Sequence, residues 1–136
     1  MSVHGNVPSV KAGGTIRVSR FIKMSTTENA TVLEGTAGAL CIGISGESAR
    51  EAPQSGSNVN AALDGDVFDW TGFGSETLLT ADATGWTVGD LLKSDAAGLG
   101  DVAATADDIA CAIALETTAA SEKGRVLMIS PHRIHA

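Results

Sequence analysis

Short apolar runs separated by turn-forming residues dominate the chain. Eight runs have the length of a β-strand, and each is bounded by Gly, Asp, Asn or Ser. They are the segments 21–24, 31–33, 40–44, 67–70, 77–80, 91–93, 109–115 and 124–129. Such regular punctuation predicts an all-β domain, arranged as a small β-barrel or sandwich.

One segment, 105–120, is compatible with two structures. Thr105 and Asp108 have the spacing of a helix capping box, and the alanines of the segment favour a helix. The bulkier apolar residues instead alternate with alanine in the period of two that is typical of a strand: Ile109, Cys111, Ile113 and Leu115. The apolar run that follows a polar turn is a natural hairpin partner, so the pattern favours the strand.

The two halves of the chain resemble each other. An offset of 70 residues aligns four pairs without a gap: Val18 with Val88, Lys23 with Lys93, Val32 with Val102 and Cys41 with Cys111. An offset of 69 aligns Gly43 with Ala112 and Ile44 with Ile113 instead, and a slip of one residue reverses the face that each side chain occupies. The sequence therefore predicts two similar halves, 15–48 and 85–118, and leaves the register around the two cysteines open.

Three segments lack apolar periodicity. Residues 1–14 contain one proline and three glycines, residues 45–60 are largely polar, and the last strand is expected to end before Pro131. We expect a single β domain over 15–130, with an N-terminal arm at 1–14, an exposed loop at 45–60 and a C-terminal tail at 131–136.

Composition narrows the function. Nine basic and 16 acidic residues give a net charge of −7, which argues against direct binding to nucleic acid or to an anionic membrane surface. The longest apolar stretches, 39–44 and 109–115, are far shorter than the roughly 20 residues of a membrane-spanning helix. The first residues carry no secretory signal pattern, so we expect a protein that is made and kept in a cytosol-like compartment.

Candidate catalytic groups are few. His4, His132 and His135 all lie near the termini, where a catalytic or metal-binding arrangement is difficult to preorganise. Cys41 and Cys111 lie inside apolar runs, which is typical of buried free thiols. We expect no enzyme activity, no metal and no cofactor.

A cluster of acidic residues supplies the oxygen ligands that calcium prefers: Asp64, Asp66 and Asp69. However, Asp64-Gly65 is also a preferred hairpin dipeptide, and the later acids alternate with Val67 and Trp70 as in a half-buried strand. The turn is the favoured interpretation.

The aromatic residues are concentrated in one place. Phe68, Trp70 and Phe73 lie within six positions, and Trp86 lies apart from them. Large aromatic side chains supply core packing in an alanine-rich domain, and they also anchor protein interfaces. Both roles remain open for this cluster.

Several short motifs follow one another over most of the chain. They are AGGTI (12–16), RFIK (20–23), IGI (42–44), VGDLLKSDAAG (88–98), AIALE (112–116) and VLM (126–128). Their order and spacing resemble those of the small capsid decoration (cement) proteins of tailed bacteriophages.

The resemblance implies a non-enzymatic virion protein that is synthesised in the host bacterial cytoplasm. It would bind the outer surface of an icosahedral head as a homotrimer and clamp adjacent major capsid proteins against the pressure of packaged DNA.

Two groups of residues are then candidates for contacts. We expect the arm to bind the capsid through Ser2, Val3, His4, Asn6, Val7 and Val10, and the subunit interface to contain Phe68, Trp70 and Phe73. The alternative is a β-sandwich module that binds carbohydrate or a receptor, with Trp70, Phe73 or Trp86 as stacking platforms.

Overall fold

The computed structural model describes residues 10–46 and 60–134. Twelve strands occur in these ranges: β1 (Lys11–Ala12), β2 (Ile16–Arg17), β3 (Phe21–Met24), β4 (Thr31–Glu34), β5 (Gly43–Ser45), β6 (Asn60–Ala62), β7 (Trp70–Gly72), β8 (Glu76–Thr80), β9 (Leu91–Ser94), β10 (Gly100–Val102), β11 (Ile109–Ala114) and β12 (Lys123–Arg133). The described residues contain no helix, which confirms the prediction of an all-β fold. In the same ranges there is accordingly no helix long and apolar enough to span a membrane.

The ambiguous segment 105–120 contains strand β11. Thr105 and Asp108 do interact as their spacing suggests, because the Thr105 backbone amide donates to Asp108 Oδ2 at 3.0 Å. This contact closes a turn before the strand rather than beginning a helix.

The strands form two five-stranded sheets and one two-stranded sheet. The first sheet has the order β1-β4-β3-β5-β7, the second has the order β10-β9-β11-β12-β8, and β2 pairs with β6. The series β4-β3-β5-β7 and β10-β9-β11-β12 correspond strand for strand. Four strands of each large sheet therefore share one arrangement, although β7 and β12 lie outside the predicted halves 15–48 and 85–118.

Strand pairing settles the register that the sequence left open. Phe21 pairs with Ile44 in the first sheet, and Leu91 pairs with Ile113 in the second. The first members of these pairs are 70 residues apart and the second members are 69 apart (91 − 21 and 113 − 44). The offset of 69 thus holds at β5 and β11.

The predicted equivalence of Val32 and Val102 is wrong. Val32 pairs with Met24 in the first sheet, and the corresponding Ser94 of the second sheet pairs with Gly100. Gly100, not Val102, therefore occupies the place of Val32. A shift of two residues keeps each side chain on the same face, which is why the apolar pattern alone did not reveal it.

Two clusters of buried apolar residues lie on opposite faces of the first sheet. One cluster lies between the two large sheets and includes Phe21 and Ile44 from the first sheet with Leu92 and Val126 from the second. The other lies between the first sheet and β2-β6, and its members include Ile16, Ile22, Val32, Ala62 and Trp70. Neighbouring residues such as Phe21 and Ile22 therefore enter different clusters, as the alternation of side chains along a strand requires.

The predicted boundaries at the N-terminal side need correction. Val10 is 6% exposed, and Lys11–Ala12 pair in parallel with β4, so residues 10–14 belong to the β domain and not to an arm. Ser45 and Asn60 likewise belong to strands β5 and β6 rather than to the loop. The remaining arm candidates, Ser2, Val3, His4, Asn6 and Val7, and residues 47–59 of the loop lie outside the described residues.

The predicted C-terminal tail also begins later than expected. Strand β12 continues through Pro131 to Arg133, which pairs with Ile109. Proline lacks an amide hydrogen, but the pairing shifts register between Ala110 and Ala112, and a bulge of this kind accommodates proline in a sheet. Position 136 and His135 lie outside the described residues.

Candidate functional site

The predicted aromatic interface separates into three environments. Trp70 is 8% exposed and belongs to the cluster beside β2-β6. The prediction that Trp70 contacts another subunit is therefore wrong, and its side chain packs in the core. Phe68 is partly buried and packs against the same cluster. Phe73 is 71% exposed in the turn between β7 and β8, and it stays a predicted contact residue.

The burial of Trp70 depends on a small residue beneath it. A Cβ atom added to Gly43 would collide with the Trp70 ring and with the Thr71 carbonyl oxygen. In the second half, Ala112 and Val126 occupy the places of Gly43 and Trp70. The first half thus combines the smallest residue, Gly43, with the large Trp70, and the second half combines Ala112 with the smaller Val126.

Strand register places several apolar side chains together on the outer face of the second sheet. Leu91, Ile113 and Leu127 lie side by side on β9, β11 and β12, and we call these three residues the outer row. Each is partly exposed, and none belongs to either buried cluster. Leu78 and the 36% exposed Leu115 lie on the same face, on either side of Arg125.

Charged residues border the outer row on two sides. Toward β10, Lys93 Nζ lies 3.1 Å from Asp108 Oδ1 and 4.0 Å from Asp101 Oδ2. Toward β8, Arg125 lies 3.2 Å from a Glu116 carboxylate oxygen and 3.5 Å from a Glu76 carboxylate oxygen. Both borders contain acidic and basic groups, so the surface has no single sign of charge.

A group of polar residues forms a second connection between the two halves, through the contact of Arg20 with the Ala97 carbonyl oxygen. Arg17 donates to both carboxylate oxygens of Glu34, through Nε at 3.2 Å and Nη2 at 2.6 Å, and this hydrogen bonding raises the pKa of Arg17. Arg20 is 5% exposed and donates through Nη1 to the Ala97 carbonyl oxygen at 3.0 Å. Burial lowers the pKa of Arg20. Sequence reasoning missed this connection because its members are widely separated in the chain.

The acidic cluster at 64–69 forms the expected turn. Gly65 has a φ of +87°, and the Leu63 backbone amide donates to Asp66 Oδ2 at 2.9 Å. Among the described residues, no group of three or more His, Cys, Asp or Glu side chains is arranged to hold a metal ion. Asp66 thus stabilises its own turn.

Comparisons with known proteins show a likeness to a solved structure. No protein-family model matches the chain, and no curated protein sequence matches it. Among solved structures, the chain is similar to the head fiber gp8.5 N base of bacteriophage phi29, with a TM-score of 0.51 and a sequence identity of 15%. The likeness covers 94% of this chain and 97% of that chain. At this identity it shows a shared fold over nearly the full length of both chains.

Proposed function

We propose that this chain is a non-enzymatic structural protein of a phage virion and that it attaches to the outer surface of the head. The observation that carries the proposal is the fold shared with a phage head fiber base over 94% of the chain. The order of sequence motifs, which resembles that of capsid decoration proteins, independently supports the same class of protein.

In its finer form, the proposal is that the chain binds adjacent major capsid proteins as a homotrimer and stabilises the shell against internal DNA pressure. A symmetric assembly gains avidity from many weak contacts and does not need a deep pocket. The net charge of −7 disfavours direct contact with nucleic acid and with anionic membranes. Synthesis would take place in the host bacterial cytoplasm.

The proposed capsid contact is the segment that contains Ser2, Val3, His4, Asn6 and Val7. Val10 is excluded from this contact because it is buried in the domain. Phe73 is the proposed aromatic contact between subunits, since it is the exposed member of the predicted aromatic cluster.

Co-sedimentation with phage heads that lack the protein tests the proposal. We expect saturable binding of the full chain and weaker binding after deletion of residues 2–9, which stops short of the buried Val10. Deletion of residues 135–136 is the matched terminal control and should leave binding unchanged. The proposal would be overturned if the chain did not bind the heads of the phage that encodes it.

The carbohydrate- or receptor-binding alternative loses two of its three stacking platforms. Trp70 and Trp86 are 8% and 4% exposed, and the Trp86 indole donates to the Glu116 carbonyl oxygen at 3.0 Å. Only Phe73 of the three is available for stacking on a sugar. Glycan-array binding that is lost in Phe73→Ala with the fold intact would favour this alternative.

A further inference from the structure

The two large sheets are covered unequally. In the first sheet, Phe21, Ile44 and Thr71 lie side by side on β3, β5 and β7. These three residues occupy the same places in the strand order as the outer row does in the second sheet. The first-sheet residues are 0%, 0% and 9% exposed, because this face packs against the second sheet.

The equivalent face of the second sheet has no such cover among the described residues. The outer row and Leu78 are partly exposed, Leu115 is 36% exposed, and Val88 near the start of β9 is 58% exposed. The fold therefore uses one copy of a repeated apolar face inside the domain and presents the other copy on the surface. A sheet face of this kind is stabilised by burial, since the hydrophobic effect favours removing its apolar area from water.

We propose that the outer face of the second sheet, centred on Leu91, Ile113 and Leu127, binds a second copy of this chain. The inference rests on the self-association that forms part of the proposed function, and it assigns to that association a surface in addition to the proposed Phe73 contact.

Two observations identify a second copy as the occupant. First, the equivalent face of the first sheet is covered by a sheet of this same chain, so this type of apolar face already packs against a β-sheet of the same sequence. Second, the borders of the outer face carry both signs of charge, with Lys93 and Arg125 among four acidic residues. Lys93 and Arg125 of one copy can then contact acidic groups of the other.

Sedimentation velocity of the purified full chain, from micromolar to millimolar concentration, tests the inference without any capsid. We expect concentration-dependent association. Leu127→Glu and Ile113→Glu should each weaken the association about 100-fold or more, because either places an unpaired charge in the interface. Val67→Glu is the matched control, since Val67 is 72% exposed and pairs with Lys11 beside the first sheet, so association should be unchanged.

A second measurement avoids any dependence on how the variants fold. Hydroxyl-radical footprinting of the unmodified chain should show side-chain protection of the outer row at high concentration relative to low concentration, and no change at Val67. Circular dichroism of each variant at low concentration reports whether the β fold is retained.

The possible results are distinct. A chain that stays monomeric at all concentrations and on heads overturns the inference, while head binding by that monomer leaves the proposed virion role intact. Association that is lost in Phe73→Ser but kept in Leu127→Glu also overturns it, and assigns the interface to the β7–β8 turn instead.

Discussion

The backbone amide of Cys41 donates a hydrogen bond to the Sγ atom of Cys111 across 3.3 Å. Cys41 precedes β5 of the first sheet and Cys111 lies in β11 of the second, so this contact joins the two halves. Because the offset at these strands is 69, Ile42 and not Cys41 is the equivalent of Cys111. The expectation that the two cysteines occupy equivalent positions is therefore wrong. They are instead in contact with each other across the two halves.

We expect both thiols to react slowly in the native protein. Cys41 and Cys111 are fully buried and free. The hydrogen bond with Cys111 together with burial raises the pKa of the Cys41 thiol, whereas the hydrogen bonds with Cys41 lower the pKa of the Cys111 thiol. Burial keeps reagents away from both thiols, so inaccessibility makes Cys111 slow to react and protonation adds to this at Cys41. Labelling with a thiol reagent should count two thiols only after denaturant is added. Rapid labelling of the native chain, or a mass two hydrogens lighter without reductant, would contradict this prediction.

Replacement of Cys111 by Ser should destabilise the domain by roughly 1 to 3 kcal/mol, because it buries a stronger polar group among apolar neighbours. Denaturant titration of Cys111→Ser against the unmodified chain measures the loss. An unchanged free energy of unfolding would show that the hydroxyl finds adequate partners in that environment.

Gly43→Ala should destabilise the domain by roughly 1 to 3 kcal/mol, since the added methyl group overpacks the space under Trp70. Gly14→Ala is the matched control, because a Cβ atom there meets nothing within 4 Å. Thermal unfolding should show a lower midpoint only for Gly43→Ala. Equal midpoints in the two variants would mean that the Trp70 ring and the Thr71 carbonyl group both move aside without cost.

Glu34→Gln should cost roughly 1 to 3 kcal/mol of stability, because it leaves the partly buried Arg17 guanidinium without its charged partner. The Arg17 backbone amide also donates to Glu34 Oε2 at 2.9 Å, so the change weakens a third contact. Glu28→Gln, at an exposed loop position, is the control and should change stability little. The prediction fails if the two variants unfold at the same denaturant concentration.

The stability of the Asp101→Asn variant relative to the unmodified chain should increase as pH rises. Burial and the adjacent Asp82 carboxylate raise the pKa of Asp101 in the folded protein. A raised carboxyl pKa means that the folded state binds this proton more tightly than the unfolded state, so stability falls as pH rises from about 4 through the folded-state pKa. Lys93 keeps its contact with Asp108 at 3.1 Å in the variant, which limits the loss of ion pairing.

The measurement is the difference in unfolding midpoint between Asp101→Asn and the unmodified chain at acidic and at neutral pH. The midpoint of Asp101→Asn relative to that of the unmodified chain should be higher at neutral pH than at acidic pH. Asp69→Asn, at an exposed position, is the control. A constant difference for Asp101→Asn across this range would exclude the carboxylate pair as a source of pH dependence.

Local patterns in the sequence located several strands closely. The predicted run 21–24 coincides with β3, and the runs at 77–80, 91–93 and 109–115 differ from β8, β9 and β11 by about one residue at an end. Short apolar runs bounded by turn-forming residues mark these strands, and β9 also alternates in side-chain burial; both properties are visible within a few neighbouring positions.

Strands that depend on distant partners were not predicted. β1, β2 and β6 contain two or three residues each, too few for a periodic pattern. β1 forms because β4 offers it a parallel edge, and β2 forms because β6 pairs with it. Such short segments gain their hydrogen bonds only once the chain has folded.

The sequence by itself determined the all-β class and the two similar halves, because alternation, turn chemistry and repetition are written in neighbouring residues and in a simple offset. Only the tertiary structure decided that Trp70 and Val10 are buried, that Cys41 meets Cys111, and that the outer row lies on the surface. The physical reason is that a face of a sheet becomes core or surface through what packs against it. In this protein that choice depends on how the two large sheets stack. It also depends on the offset of 69 residues, rather than 70, between β5 and β11.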